Sequence, residues 1–252
     1  MIRASLLGGA NVKDNSKIFV VGSKPETFWP DCVPHRVYAA NGAIVRVQHH
    51  LGKAEVVGLI TKTSLKSTQK SRRSVDAIVL RGARVDRLII AGGARSRSGF
   101  DRPDQRQIYA ARVEHMSRTF SLYLKLKQRA VSSIYRQARR NRGGFPLLHL
   151  TKDLVRTRMV SELAISTGVL ALLLALHETR SVEERQIFLI GVGAGEGRDH
   201  FYEGAAPFGG LHVEPDREML FDILRRQAKE TVVITDPELR DRMSCWTKAK
   251  SA

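Results

Sequence analysis

The sequence predicts a single α/β domain over residues 1–252, with a mostly parallel sheet and helices on both faces. A chain of 252 residues is long enough for one large domain with a substantial buried core. Short runs that are apolar almost throughout recur along it, which is typical of strands covered on both sides. Helical segments separate the later runs, so we expect strands and helices to alternate.

Seven apolar runs carry the strand prediction. Five fall early in the chain, and two follow a long helical region. Most are rich in Val and Ile, which favour strands. They are KIFVVG (17–22), RVYAAN (36–41), AEVVGLI (54–60), DAIVL (76–80), RLIIAGG (87–93), QIFLIGV (186–192) and TVVIT (231–235).

A basic segment at about 95–142 interrupts this pattern. It contains 13 Lys and Arg but only 3 acidic residues. Apolar residues recur at spacings of three and four, which predicts one or two amphipathic helices over residues 106–140; they are Ile108, Ala111, Val113, Met116, Phe120, Leu124, Val131 and Ile134. The segment is either a solvated basic face or a surface that docks an anionic partner.

The overall charge also indicates an anionic partner. The formal net charge is +17 and the isoelectric point is near 10.4, which suits nucleic acid, an anionic membrane leaflet, or an acidic polysaccharide or sugar nucleotide. Cys32 and Cys245 are too few and too far apart for a disulfide framework or a zinc site, so we expect a reducing cytoplasm. The longest apolar stretch has 14 residues, short of a membrane span, so any membrane contact should be peripheral.

The stretch SELAISTGVLALLLALHE (161–178) predicts a polar turn followed by a buried helix. A helix that is apolar all round must be buried, so its first residues should emerge from the core into a cleft. There Ser166, Thr167 and Gly168 would present hydroxyls and backbone N–H groups to a carboxylate or phosphate. The alternative is an ordinary Ser or Thr helix cap.

The glycines of GVGAGEGRDHFYEG (191–204) do not fit a dinucleotide loop. That loop needs a third glycine where Glu196 stands, followed by an amphipathic helix that this sequence lacks. A methyltransferase loop matches loosely, but it usually opens the first β-α unit of a chain. Instead, the loop could carry His200 over the end of a strand, with His212 beyond a second glycine pair.

Taken in order, these pieces resemble the motifs of the sialyltransferases, which use CMP-sialic acid. IFVVGSKPE and VYAANGA are similar to the first motif, with Gly22 and Ser23 in its loop and Asn41 at the end of the second strand. ISTGVLALLLALHE and FLIGVG resemble the second motif. HFYE, from His200 through Tyr202 to Glu203, resembles the third.

The fourth motif resembles HVEPDRE, with His212 and Glu218, and the four matches cover residues 18–45 and 161–220. Three departures stand out. Ser23 replaces the Asn common in the family, the interval from His212 to Glu218 is one residue longer than in the animal enzymes, and no cysteine pair joins the first two motifs. The last departure agrees with a cytoplasmic, bacterial-type relative.

The resemblance implies a Rossmann-like glycosyltransferase that transfers sialic acid or a related CMP-linked sugar acid with inversion. The acceptor would be a hydroxyl on a bacterial surface polysaccharide or lipid-linked glycan, with a possible peripheral contact to an anionic membrane. No cofactor is expected. No metal is expected either, because no Asp-x-Asp pair is present and a CMP donor has only one phosphate.

The resemblance also implies a role for each site residue. His212 would be the general base, and His200, backed by Tyr202, would stabilise the departing phosphate. Ser166, Thr167 and Gly168 would hold the donor carboxylate or cytidine, and Asn41 with Ser23 would bind the nucleotide or its phosphate. The remaining donor-binding candidates are Gly22, Gly193 and Glu203.

Two other functions compete with this interpretation. A nucleic-acid-binding protein would explain the charge but not the histidines, and the aromatic residues of the basic segment are spaced like a helix core, so no nucleic acid partner is expected. A relative that binds a CMP-sugar without turning it over is the second alternative.

Overall fold

The apolar runs form neighbouring strands of one sheet. The computed structural model describes residues 16–24, 28–48, 54–61, 80, 82–91, 108–129, 131–142, 163–193, 213–228 and 231–251. Its strands are β1 (Lys17–Val21), β2 (Arg36–Ala40), β3 (Glu55–Thr61), β4 (Ala83–Ala91), β5 (Ile108–Met116), β6 (Gln186–Ile190) and β7 (Val232–Ile234). Six of the seven predicted runs are confirmed in this way. The seventh, 76–80, lies outside the described residues except for Leu80, which is in a turn.

The strand order is β5-β4-β3-β2-β1-β6-β7, and every pairing among these strands is parallel. The α/β fold with a parallel sheet is therefore confirmed. From β1 the chain builds outward to β5 on one side, and it then returns to the other side of β1 to form β6 and β7. The two directions meet between β1 and β6, which is the topological switch point of the sheet.

The prediction of helix over residues 106–140 is confirmed for Arg118–Gln128 and from Val131 onward, and it is wrong for Ile108–Met116. Residues Ile108–Met116 form β5, which pairs with β4 from Ala83↔Ile108 to Ala91↔Met116. The apolar spacing suited a helix equally well, but the edge of β4 supplies a row of backbone partners that local periodicity does not reveal. Helix begins only after Ser117, whose hydroxyl accepts a hydrogen bond from the Phe120 N–H at 3.1 Å.

Helices cover both faces of the sheet, as expected. They are α1 (Ala43–Val47), α2 (Arg118–Gln128), α3 (Val131–Arg142), α4 (Thr167–Glu178), α5 (Val213–Arg226) and α6 (Pro237–Ser251). On one face, α4 packs on the side chains of Ile18, Val20 and Tyr38, with residues of α2, α5 and α6 beside it. On the other face, α1 packs on side chains that include Phe19.

Helix α4 is the centre of the larger core, as its apolar sequence predicts. Its residues 169–176 are all buried. The last residue, Glu178, accepts a hydrogen bond from the Tyr38 hydroxyl at 2.8 Å and forms an ion pair with Arg87. Burial and the Glu178 charge raise the pKa of Tyr38 well above its usual range, so its phenol stays protonated and keeps this end of α4 attached to the sheet.

The described helices contain none that combines the length and apolar character needed to cross a membrane.

Candidate functional site

The carboxyl ends of β1 and β6 meet at a point where only glycine fits. The Gly22 N–H donates to the Ile190 carbonyl at 2.8 Å. A Cβ atom at Gly22 would lie 2.4 Å from the Gly191 carbonyl oxygen, far inside van der Waals contact. Gly191 itself has φ of 59°, in the left-handed region. Both glycines therefore let two backbones approach closely at the switch point, where parallel α/β sheets bind their ligands.

Ser23 and Asn41 lie side by side at the same edge. The Ser23 hydroxyl donates to the Ala40 carbonyl at 3.3 Å, which ties the loop after β1 to the end of β2. Asn41 follows Ala40 and has a φ of 50°, while its N–H donates to the Leu59 carbonyl at 2.9 Å. Its Oδ1 atom is buried and accepts no hydrogen bond from any described residue. A ligand that donates a hydrogen bond would satisfy that oxygen.

The first residues of α4 reach this edge from above the sheet. We call Ser166, Thr167 and Gly168 the Ser-Thr-Gly tip. A Cβ atom at Gly168 would lie 3.2 Å from the Val192 side chain, so the tip packs against the loop after β6. The Ser166 hydroxyl caps α4 by accepting from the Val169 N–H at 3.3 Å. The N–H groups of Thr167 and Gly168, in the first turn, have no carbonyl partner within the helix, which favours an anion at these two residues.

A continuous series of contacts thus joins the predicted residues of the first and second motifs. The Ser-Thr-Gly tip packs on Val192, the neighbouring Gly191 contacts Gly22, and Ser23 bonds to the residue before Asn41. Gly193 follows in the same loop, where an added Cβ atom would meet nothing within 4 Å. The structure therefore brings together candidate residues that are more than 100 positions apart in the sequence.

Sequence reasoning missed Asp216, which holds the tip in place. Asp216 is buried in the first turn of α5, and its Oδ1 atom accepts a hydrogen bond from the Ser166 N–H at 2.7 Å. The resemblance to the fourth motif points to Glu218 instead. Glu218 is 3.9 Å from the Arg129 guanidinium, inside the α2–α5 interface. The sequence signal for Asp216 is an acidic residue in the first turn of a helix. Its partner Ser166 is 50 positions away, so the contact itself is not visible in the sequence.

Two cations of the basic segment face inward toward α5. The Arg129 side chain is fully buried and bonds Asp222 at 3.3 Å, Gln137 at 2.9 Å and Ser133 at 3.1 Å. One turn earlier, Lys125 lies near Asp216, but burial outweighs that attraction and lowers the pKa of Lys125 to about 8. The Arg129 contacts hold α2 against α5, so this cation does not add to the outer basic surface.

Lys24, which follows Ser23, also pairs with acidic side chains of the protein. Lys24 forms ion pairs with Asp236 and Glu238 at the start of α6. Burial alone would lower the pKa of Lys24, but the bond to Asp236 and its charge raise it, so the ammonium stays charged. Arg46 donates to the Lys24 carbonyl at 2.8 Å and braces the same loop.

Four predicted site residues, His200, Tyr202, Glu203 and His212, lie outside the described residues. In the sequence His212 directly precedes Val213, the first residue of α5. Within the part of the chain that the structure describes, no group of three His, Cys, Asp or Glu residues could hold a metal ion. No protein-family model matches the chain, and searches of curated proteins and of solved structures found no match.

Proposed function

We propose that the chain is an inverting, metal-independent glycosyltransferase whose donor is CMP-sialic acid or a related CMP-linked sugar acid. The observation that carries the proposal is the contact series from the Ser-Thr-Gly tip through Gly191 and Gly22 to Ser23 and Asn41. The sequence resemblance singled out these residues separately. A donor with one phosphate and one carboxylate requires a site for anions, and parallel α/β sheets bind their ligands at the switch point where these residues meet.

The groups at this edge suit such a donor. The Thr167 and Gly168 N–H groups and the α4 dipole favour its carboxylate or phosphate, while the Ser166 N–H is taken by Asp216. The free Oδ1 of Asn41 requires a hydrogen-bond donor, which a ribose hydroxyl or the cytosine amino group supplies. Ser23, Gly22 and Gly193 complete the wall nearest the nucleotide in this proposal.

The chemical step we propose is a direct displacement at the anomeric carbon. The acceptor hydroxyl oxygen forms the new bond while the bond from the anomeric carbon to the phosphate oxygen breaks, and CMP leaves with the electron pair. His212 takes the hydroxyl proton, and His200 stabilises the charge that develops on the phosphate. Tyr202 supports His200, and Glu203 helps to hold the donor.

The position of α5 supports the assignment of His212. The helix begins directly after this residue, and Asp216 in its first turn bonds the N-cap residue of α4. We propose an anionic or lipid-linked glycan as the acceptor, because the outer surface of α2 and α3 is basic.

Release of CMP from CMP-sialic acid, and from other CMP-linked sugar acids in parallel, tests the proposal. We expect His212→Ala to lower the rate by roughly 10² to 10⁴ while CMP binding, measured by calorimetry, is retained. His35→Ala is the matched control, because His35 is exposed in the β1–β2 connection. A parent protein that binds CMP but consumes no CMP-sugar would be a non-catalytic binder, and one that does neither would refute the proposal.

A further inference from the structure

Helix α2 leaves two large apolar side chains partly exposed. Its inner side contributes the buried Leu124, as expected for a helix that packs on a sheet. Tyr123, at the edge of α2 beside His177 of α4, is 47% exposed, and Leu126 is 42% exposed. A surface helix normally places polar residues at exposed positions.

The exposed charges on α2 and α3 are all positive. Residues 118–142 contain no Asp or Glu. Arg118 and Lys127 are exposed on α2, and Arg136 and Arg139 are exposed on α3. Arg226 of α5 joins them, because its guanidinium donates to the Lys127 carbonyl at 2.9 Å. We call these exposed residues of α2 and α3, with Tyr123 and Leu126 among them, the basic helix face.

Contacts with neighbouring side chains hold the Tyr123 ring in place. It is stacked on Phe120, with ring centroids 6.2 Å apart, and meets the edge of His177 at 5.9 Å. The Lys127 ammonium lies 6.0 Å from the centre of the Tyr123 ring. The ring therefore stays at the surface with little loss of freedom on binding, because its conformation is already restricted.

Tyr, Leu and Lys together are suited to the boundary between water and lipid. An aromatic ring with a hydroxyl lies at the headgroup level, an aliphatic side chain enters the acyl region, and cations pair with anionic headgroups. Nucleic acid would use the ring and the cations but gains little from an exposed Leu. We propose that the basic helix face docks the protein on an anionic bilayer surface.

Docking does not require transferase activity, so the two proposals can fail separately. If both are right, docking brings α2, which packs along α4 and α5, to the surface that would carry a lipid-linked acceptor. Arg129 is fully buried and pairs with Asp222, so this cation of the segment does not contribute to docking.

Co-sedimentation with lipid vesicles tests the proposal. The full chain is mixed at about 0.15 M salt with phosphatidylcholine vesicles, either pure or containing phosphatidylglycerol. The test variant combines Leu126→Gln with Lys127→Gln. The matched control combines Val33→Gln with Arg84→Gln, which also removes one exposed apolar and one exposed basic side chain but outside the basic helix face.

We expect the parent and the control variant to bind anionic vesicles and to bind pure phosphatidylcholine much more weakly. The test variant should bind roughly 20-fold more weakly, from the loss of one surface cation and one partly buried Leu. Equal losses in both variants, or no binding of the parent to anionic vesicles, would overturn the proposal. The proposal would also be overturned if the parent binds single-stranded RNA and the test variant weakens RNA binding as much as it weakens vesicle binding.

Discussion

Replacing Gly22 by Ala tests the architecture of the candidate site most directly. The added Cβ atom would lie 2.4 Å from the Gly191 oxygen, and ordinary contact begins near 3.4 Å, so the two loops must separate by about 1 Å. A methyl group forced against backbone costs about 1 to 3 kcal/mol in the free energy of unfolding. Because Ser23 lies on one of these loops and the Ser-Thr-Gly tip packs against the other, the affinity for CMP should fall by about ten-fold or more.

Two measurements check this prediction, urea unfolding followed by circular dichroism and titration calorimetry with CMP. Gly58→Ala is the matched control, because the nearest atoms that a Cβ atom at Gly58 in β3 would meet are the ends of the buried Ile44, Val85 and Leu88 side chains, from 2.9 Å, and not the backbone of the candidate site. The control should also lose stability from overpacking but keep its CMP affinity. The reasoning is refuted if Gly22→Ala binds CMP like the parent, or if both variants lose CMP affinity equally.

Two further predictions concern the interface between α2 and α5. Arg129→Met should lower the free energy of unfolding by about 3 to 5 kcal/mol, because it removes the buried cation that pairs with Glu218 and Asp222. Urea unfolding would measure this loss, and adding Asp222→Asn should restore part of it. A loss below about 1 kcal/mol would contradict the structure. Lys125→Met should raise the free energy of unfolding at pH 7 by about 1 to 2 kcal/mol, since burial disfavours the ammonium. The parent releases this proton near pH 8 when folded and near 10.5 when unfolded, so its stability should rise between these pH values and the advantage of the variant should shrink there. Thermal unfolding at several pH values checks this, and a stability difference between Lys125→Met and the parent that stays constant with pH would contradict it.

Strong local patterns made much of the fold predictable. The apolar runs that became β1, β2, β3, β4, β6 and β7 are buried on both faces, so their composition alone distinguishes them. Helix α4 was equally clear, because a sequence apolar on every side can only be buried. The strand β5 was not, because only its first and last residues are buried and the polar residues between them leave no continuous apolar run.

The composition of the candidate site was predictable in part. The Ser-Thr-Gly tip, Gly22 and Ser23 stand next to strands or a helix that the sequence predicts, so their place at the sheet edge follows from parallel topology. Asp216 and Arg129 could not be assigned in the same way. Both are charged residues within helices, and their roles depend on partners from distant segments, Ser166 for one and Asp222 for the other.

By itself the sequence determined the α/β class, the buried helix with its polar start, and the glycine positions, because strand and helix periodicity and backbone freedom are local properties. The tertiary structure decided which cations are exposed and which form ion pairs with buried carboxylates. It also decided that the loops after β1 and β6 meet at one point, with the start of α4 packed against them. Charge pairing and close backbone approach depend on through-space distance, and a linear pattern does not contain that distance until the strands are ordered in the sheet.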